Sequence, residues 1–430
     1  MARPSNQRPT AKAKAKASAA TGGRRARARD APHRPLEHRI LLTATLCLLA
    51  GGAVMVYSAS SARDLLGAGG DGSAFLLRYV GYGALGLLAM HLLTRVRLEA
   101  VRKATPILLV VAFALVALTL VPGIGVEVNG GRRWLGPGPL QFQPSELLKL
   151  ALILYTARML AAEPGRVGSL RELASPLLAV AGAACALVAL QPDLGTALVI
   201  AFSLTALLVV AGLPLRTLGI LAVTVGVCVL VFALVEPYRR ARLTAFVNPW
   251  ADAGGAGFQL VQGQIALGSG GLFGVGLGQS VQKVFYLPEA HTDFILAVVG
   301  EELGVSGILG LLSLYGMLAY AGLRTAKIAR GSYAKLLATG LTAVILCQAS
   351  LNVFTVLGLA PLTGVPLPFI SYGSSNLLVL LAAMGLLLNV AAGGAAPARA
   401  GRRPPAPTKL RAVSGGAAGA AAPRRRREAG

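Results

Sequence analysis

Apolar runs of membrane-spanning length recur along this chain from residue 39 to residue 391, separated by short polar or charged intervals. Crossing about 30 Å of hydrocarbon takes roughly 20 helical residues. Ten runs qualify: Arg39–Ser58, Ala74–Leu93, Ala104–Val121, Pro144–Ala162, Ala174–Leu190, Asp193–Gly212, Leu215–Val235, Thr292–Gly322, Tyr333–Leu357 and Ile370–Ala391. The pattern predicts an all-α polytopic membrane protein with ten transmembrane helices. The eighth run is long enough to tilt or to project beyond the bilayer. Only Gln191-Pro192-Asp193 joins the fifth and sixth, which reads as a tight hairpin.

The intervals carry their own signals. Residues 1–38 and 393–430 are rich in Ala, Arg, Lys and Pro, cannot bury a core and read as disordered basic tails flanking a membrane domain at 39–392. The start of the chain lacks the small-residue cleavage site of a leader, so the first run reads as an anchor. Residues 236–291 form a large loop between helices 7 and 8. Within it Phe258, Val261 and Ile265 repeat at helical spacing, as for a short helix lying in the interface. A Gly-rich run follows at Gly268–Gly278. It follows no strand and lacks a Lys-Ser/Thr ending, so it reads as a flexible loop against the bilayer rather than a nucleotide cradle.

Composition sharpens this. The 430 residues are 55% hydrophobic and only 13% charged, where a soluble chain carries about a quarter. The net charge of +24 is unevenly placed. With both termini on one side, that side receives 32 of the 41 lysines and arginines, which predicts cytoplasmic termini. Basic tails of this kind suit anionic membrane lipids, and no nucleic-acid partner is needed to explain them. Cys47, Cys185, Cys228 and Cys347 all lie in apolar runs and make no disulfide framework. The four histidines are dispersed, which argues against a His-based metal cluster.

This topology places 122–142, 236–291 and 358–369 outside, together with the chemistry. Asp293 stands where a polar loop holding Glu289, His291 and Thr292 turns into an apolar run. An ionised carboxylate is favoured at a helix start, so Asp293 either caps the helix or performs chemistry there. Glu301 and Glu302 follow about two turns deeper, where carboxylates are expensive and point to function unless they pair with a basic neighbour. Glu146 and Lys149, three apart, share a helix face. They either neutralise each other for insertion or line a cavity for a polar headgroup. Arg132, Arg133, Lys283 and the Arg239–Arg242 cluster add positive charge on the same side, suited to phosphate or else simply solvated loop charge.

Six motifs in order carry a resemblance. They are Asn129-Gly-Gly-Arg-Arg-Trp134; Phe142-Gln-Pro-Ser-Glu146 with Lys149; Gln191-Pro-Asp-Leu-Gly-Thr196; Asn248-Pro-Trp250; Pro288-Glu-Ala-His-Thr-Asp293 with Gly300-Glu-Glu-Leu-Gly304; and Pro366–Ser375. Across about residues 40–390 the chain resembles the SEDS family (shape, elongation, division and sporulation), and Gly274–Ser280 with Leu287–His291 is more similar to its division branch than to its elongation branch. The chain departs from the family at Tyr372-Gly-Ser-Ser-Asn376.

The resemblance implies a peptidoglycan glycosyltransferase in the bacterial cytoplasmic membrane, at the division septum, polymerising lipid II into a nascent glycan strand. It implies a class B penicillin-binding protein and other divisome proteins as partners. It makes Asp293 the catalytic aspartate and implies substrate or pyrophosphate binding by Lys149, Glu146, Arg132, Arg133, Lys283 and Glu302. Glu289, His291, Thr292, Glu301 and Ser371 are further candidates. A divalent cation, magnesium or manganese, is the one cofactor candidate. The competing classes are a lipid II flippase without bond chemistry, the elongation-type polymerase and a non-catalytic scaffold.

Overall fold

The structure is a computed structural model that describes residues 35–67, 72–128, 130–138, 141–163, 174–235, 237–284 and 286–394. The readings made on 1–34 and 395–430, on Asn129 and on the side chain of Arg239, and the charges counted at Arg166 and Arg171, lie outside the described residues.

The apolar runs fold as helices. Seven are long and apolar enough to cross a membrane: α1 (Leu36–Gly67), α2 (Ala74–Leu93), α3 (Leu98–Thr119), α7 (Leu215–Val235), α10 (Ile295–Ile328), α11 (Ser332–Val356) and α12 (Ser374–Ala391). The other three expected spans are helical but less complete. In α4 (Pro144–Ala162) Glu146, Lys149 and Arg158 interrupt the apolar run. The fifth begins as a π turn, Ala174–Leu178, and continues as α5 (Ala179–Leu190), while α6 (Leu194–Val210) has 17 residues. Asp193 caps α6 by accepting from the Thr196 amide at 3.1 Å, so the Gln191–Asp193 turn ends one helix and starts the next.

Burial separates the bundle's centre from its rim. Helices α11 and α12 are buried around most of their circumference, as helices apolar on all sides should be. Helix α12 packs along α2, α10 along α1, and α11 against α4, α6 and α10. Helices α2, α3 and α7 instead expose Leu77, Leu88, Ile107, Val110, Val223 and Val227 on the perimeter, where lipid would cover them.

The interval 236–291 contains α8 (Pro237–Val247), a 3-10 turn at Pro249–Asp252 and α9 (Phe258–Ser269). The spacing signal for α9 is met as a helix, with Leu260, Val261, Gly263 and Ala266 forming its buried side. The described residues also pair as extended chain: Leu135 bridges Phe142, and in a hairpin β1 (Val126–Val128) pairs antiparallel with β2 (Gly131–Trp134). Its two-residue connection includes Gly130 at φ +75°, the backbone state tight hairpins need. The alternating Val-Glu-Val of β1 is the strand signal that the helical reading passed over.

Helix α10 is broken at Gly304, whose φ of +66° and ψ of −162° are not helical. The glycine loop fills the break. Val275 and Gly276 amides donate to the Glu301 and Glu302 carbonyls at 2.9 and 3.0 Å, and Val305 and Ser306 amides donate to the Gly271 and Leu272 carbonyls at 3.0 and 3.1 Å. A Cβ at Gly274 would strike the Glu302 carbonyl, and one at Gly304 would strike the Gly274 amide. Both glycines are therefore fixed by close backbone approach as well as by positive φ.

Candidate active site

A cavity of about 1060 Å³ opens beneath the β hairpin. It is walled by β2, α2, α4, α8, the turn before α10 and the strap 361–373 between α11 and α12. The structure brings Arg133, Glu146, Lys149, Glu289, His291, Thr292 and Asp293 to this one space, although they come from separate stretches of sequence.

Asp293 lies in a turn one residue ahead of the α10 N-cap, Phe294, rather than in the first helical turn expected from the sequence. It therefore serves no capping function; its side chain accepts from Thr292 Oγ at 3.2 Å and faces the cavity, half-buried. Burial pushes its carboxyl up to about 7, and the negative charge of Glu289 adds to the rise. Its own main chain, the Thr292 hydroxyl and the Arg242 guanidinium pull the other way. A base that titrates near neutral pH is matched to proton transfer there.

Glu146 and Lys149 form an ion pair of 2.9 Å on α4, buried on both sides. Asn376 Nδ2 donates to the same Glu146 oxygen at 2.8 Å, and Lys149 donates to Gln348 Oε1 at 3.0 Å. An ammonium has three protons, and these two partners leave one of them for a cavity occupant. Arg133 is held by the turn between α5 and α6, donating to the Gln191 and Pro192 carbonyls at 2.8 and 2.6 Å. The His291 ring is buried against Phe75 and Tyr372, with ring centroids 4.5 and 5.7 Å away, and its carbonyl accepts from the Tyr372 amide at 2.9 Å.

Five candidates stand away from the cavity lining. Arg132 is exposed and pairs with Glu127 across the hairpin at 3.2 Å. Lys283 pairs with Glu302 at 2.7 Å and donates to Ser58 at 3.0 Å, tying the loop before α10 to α1. Glu301 accepts from the Ser280 hydroxyl and the Val281 amide, closing the loop at 280–282. Ser371 accepts from the Leu367 amide at 2.8 Å inside the strap. The adjacent Glu301 and Glu302 thus point to different partners and brace the fold around the site.

Sequence reasoning missed Gln348 and Asn352. Asn352 Nδ2 donates to the Asp293 and Val365 carbonyls at 2.7 and 2.8 Å, and Gln348 Nε2 donates to the Pro366 carbonyl at 3.0 Å. Two amides four apart in a largely apolar helix share one face, and that was the available signal. Arg78 and Asn376 also reach the cavity, unforeseen as site residues, and Arg242 of the basic cluster read from the sequence lines it too. Among the described residues, no group of three or more His, Cys, Asp or Glu side chains is placed to hold a metal ion.

Residues 38–394 match the family described as a cell cycle protein and named for FtsW, RodA and SpoVE. The chain is 44% identical over 361 residues to a probable peptidoglycan glycosyltransferase FtsW of Thioalkalivibrio sulfidiphilus, covering 81% of this chain and 88% of that one. It is 40% identical over 354 residues to the stage V sporulation protein E of Bacillus subtilis, covering 82% and 96%. Among solved structures it is similar to a chain described under the structural coordination of polymerization and crosslinking by a peptidoglycan synthase complex (TM-score 0.68, 33% identity, 82% and 96% covered). It is also similar to the rod shape determining protein RodA of Thermus thermophilus (TM-score 0.60, 32% identity, 82% and 95% covered).

Proposed function

The chain belongs to the FtsW/RodA/SpoVE family of cell cycle proteins, a multi-pass membrane peptidoglycan glycosyltransferase by that membership, and from this premise we propose that it polymerises lipid II at the outer face of the bacterial cytoplasmic membrane during septal synthesis. The observation that carries the reading is Asp293, a carboxyl titrating near 7 on the wall of a cavity that also receives Lys149, Arg133 and Arg242.

In this reading Asp293 takes the proton from the 4-hydroxyl of the acceptor's N-acetylglucosamine. That oxygen bonds to the anomeric carbon of the donor's N-acetylmuramic acid as the bond from that carbon to the pyrophosphate oxygen breaks, inverting the centre. Undecaprenyl pyrophosphate leaves with the electron pair. Lys149 and the two arginines supply positive charge where the leaving group becomes more negative. Guanidinium groups suit phosphate because their planar donors reach two oxygens.

The solved peptidoglycan synthase complex supports a class B penicillin-binding protein as partner, and the relatives named FtsW support the division role. Likeness to RodA favours an elongation polymerase instead. Imaging a fluorescent fusion separates these, with a band at the septum expected and uniform side-wall signal overturning the division role. For the chemistry, purified chain incubated with lipid II is expected to give glycan polymer resolved on a gel, and Asp293→Asn to give almost none. A wild-type protein that only moves lipid II between leaflets would return the flippase.

A further inference from the structure

Glu289 and Asp293 present two carboxylates to one hydroxyl. Thr292 Oγ lies 3.1 Å from a carboxylate oxygen of Glu289, 3.0 Å from the Glu289 carbonyl and 3.2 Å from a carboxylate oxygen of Asp293. A hydroxyl has one proton to give, so only one acceptor holds it at a time. The backbone fixes this arrangement. Glu289 sits at φ +52°, a left-handed state rare for a residue with a side chain of its kind. Its carbonyl accepts from the Thr292 and Phe294 amides at 3.1 and 3.5 Å, which closes the turn. Strain kept on a cavity wall is a pointer to function.

We propose that Glu289 is a positioning residue for Asp293 in glycosyl transfer, acting through the Thr292 hydroxyl and through its own charge, so that Asp293 alone takes the acceptor's proton. The inference rests on the reading of Asp293 given above. With the hydroxyl turned toward Glu289, the Asp293 lone pairs face the acceptor. The proton then passes from the acceptor oxygen to Asp293, while Thr292 keeps its own. A second negative charge nearby strengthens Asp293 as a base, and a hydrogen bond to its ionised form weakens it. Glu289 and Thr292 therefore act in opposite senses.

The other charges around Asp293 are shared by every variant compared. Arg242 faces it from α8. Across the cavity stand Arg133 from β2, Asp193 ahead of α6, Glu146 and Lys149 from α4, and Arg78 from α2. Helix α11 contributes the neutral Asn352, and the strap contributes Thr363 and Gly364.

The test is the initial polymerisation rate of the purified full chain on lipid II, measured across pH on both sides of 7. Glu289→Gln is expected to shift the acid limb to lower pH and to lower the plateau, so that its curve crosses the wild-type curve. Thr292→Val is expected to shift the limb to higher pH. Glu289→Asp keeps the charge, and Asp tolerates positive φ, so it should keep the limb near the wild-type position. A uniform loss in Glu289→Gln with an unmoved limb would overturn the proposal, as would Glu289→Gln and Thr292→Val shifting the same way. If Glu289→Gln fails to accumulate, Thr292→Val against Glu289→Asp decides: limbs that coincide overturn it. Absence of polymer from the wild-type protein would instead remove the glycosyltransferase reading beneath it.

Discussion

Asn352 holds the main-chain carbonyl of Asp293 through a side-chain hydrogen bond of 2.7 Å. One turn away on α11, Gln348 accepts from Lys149 at 3.0 Å. A single buried helix thus sets the spacing between the carboxylate and the ammonium. The same two amides also pin the strap at Val365 and Pro366. Replacing Asn352 with Leu keeps the volume and orphans two carbonyls, each costing about 1–3 kcal/mol where buried. Polymerisation is expected to fall by up to roughly 10²-fold, the scale of an ångström-sized misplacement. Thermal unfolding should show the protein still folded at the assay temperature; full activity in that folded protein would show that α11 does not position the base.

Asp293→Asn is expected to reduce polymerisation by roughly 10²-fold or more while the protein accumulates normally. Stability should move the other way. The folded state binds this proton more tightly than the unfolded chain, since the carboxyl rises from 3.8 to about 7. Asp293 therefore favours folding below 3.8, and that advantage is lost as pH rises through 7. Above 7 the Asn variant should melt at the same temperature as the wild type or higher, and below 4 that difference should vanish or reverse. A variant less stable at alkaline pH would show that Asp293 holds the turn together.

The pair on α4 separates stability from chemistry. Lys149→Met leaves Glu146 buried without its partner, a loss of about 3–5 kcal/mol. Adding Glu146→Gln should recover most of that stability without recovering polymerisation, because the charge proposed to meet pyrophosphate stays absent. Recovered activity in the double variant would reduce the pair to an insertion device.

Lys283 and Glu302 give the opposite expectation. Breaking their 2.7 Å pair alone should destabilise by a similar amount. The double variant Lys283→Met with Glu302→Gln should restore both folding and polymerisation, since neither residue lines the cavity. Failure of that stable double variant to polymerise would return both to the substrate site.

Orientation is open to labelling. A cysteine at Ala251, in a background without native cysteines, should react with an impermeant reagent in intact spheroplasts, and one at Arg330 should not. Both positions are exposed. The reverse pattern would place the cavity on the cytoplasmic side.

The apolar periodicity made the helices legible, and motif spacing singled out Asp293, Glu146 and Lys149. What stayed hidden were features that depend on backbone pairing across distance. Nothing local marks Gly304 as a helix break, because its cause is the loop at 271–276 inserted beside it. The sequence could not assign Glu301 and Glu302 to separate partners, since adjacent residues on a helix diverge by about 100°. The helix boundary expected at Thr292 came out three residues early because the turn before α10 is closed by the Glu289 carbonyl, not by a side-chain cap.

The loop that completes α10 also bears on biogenesis. The carbonyls of Glu301 and Glu302 accept from Val275 and Gly276, beyond their own segment. Hydrocarbon offers no water to satisfy such groups, so α10 cannot settle as an independent span when it leaves the insertion machinery. Its upper part must wait for the preceding loop to fold back onto it. A chain in which that loop has not folded back would leave the Glu301 and Glu302 carbonyls without these partners.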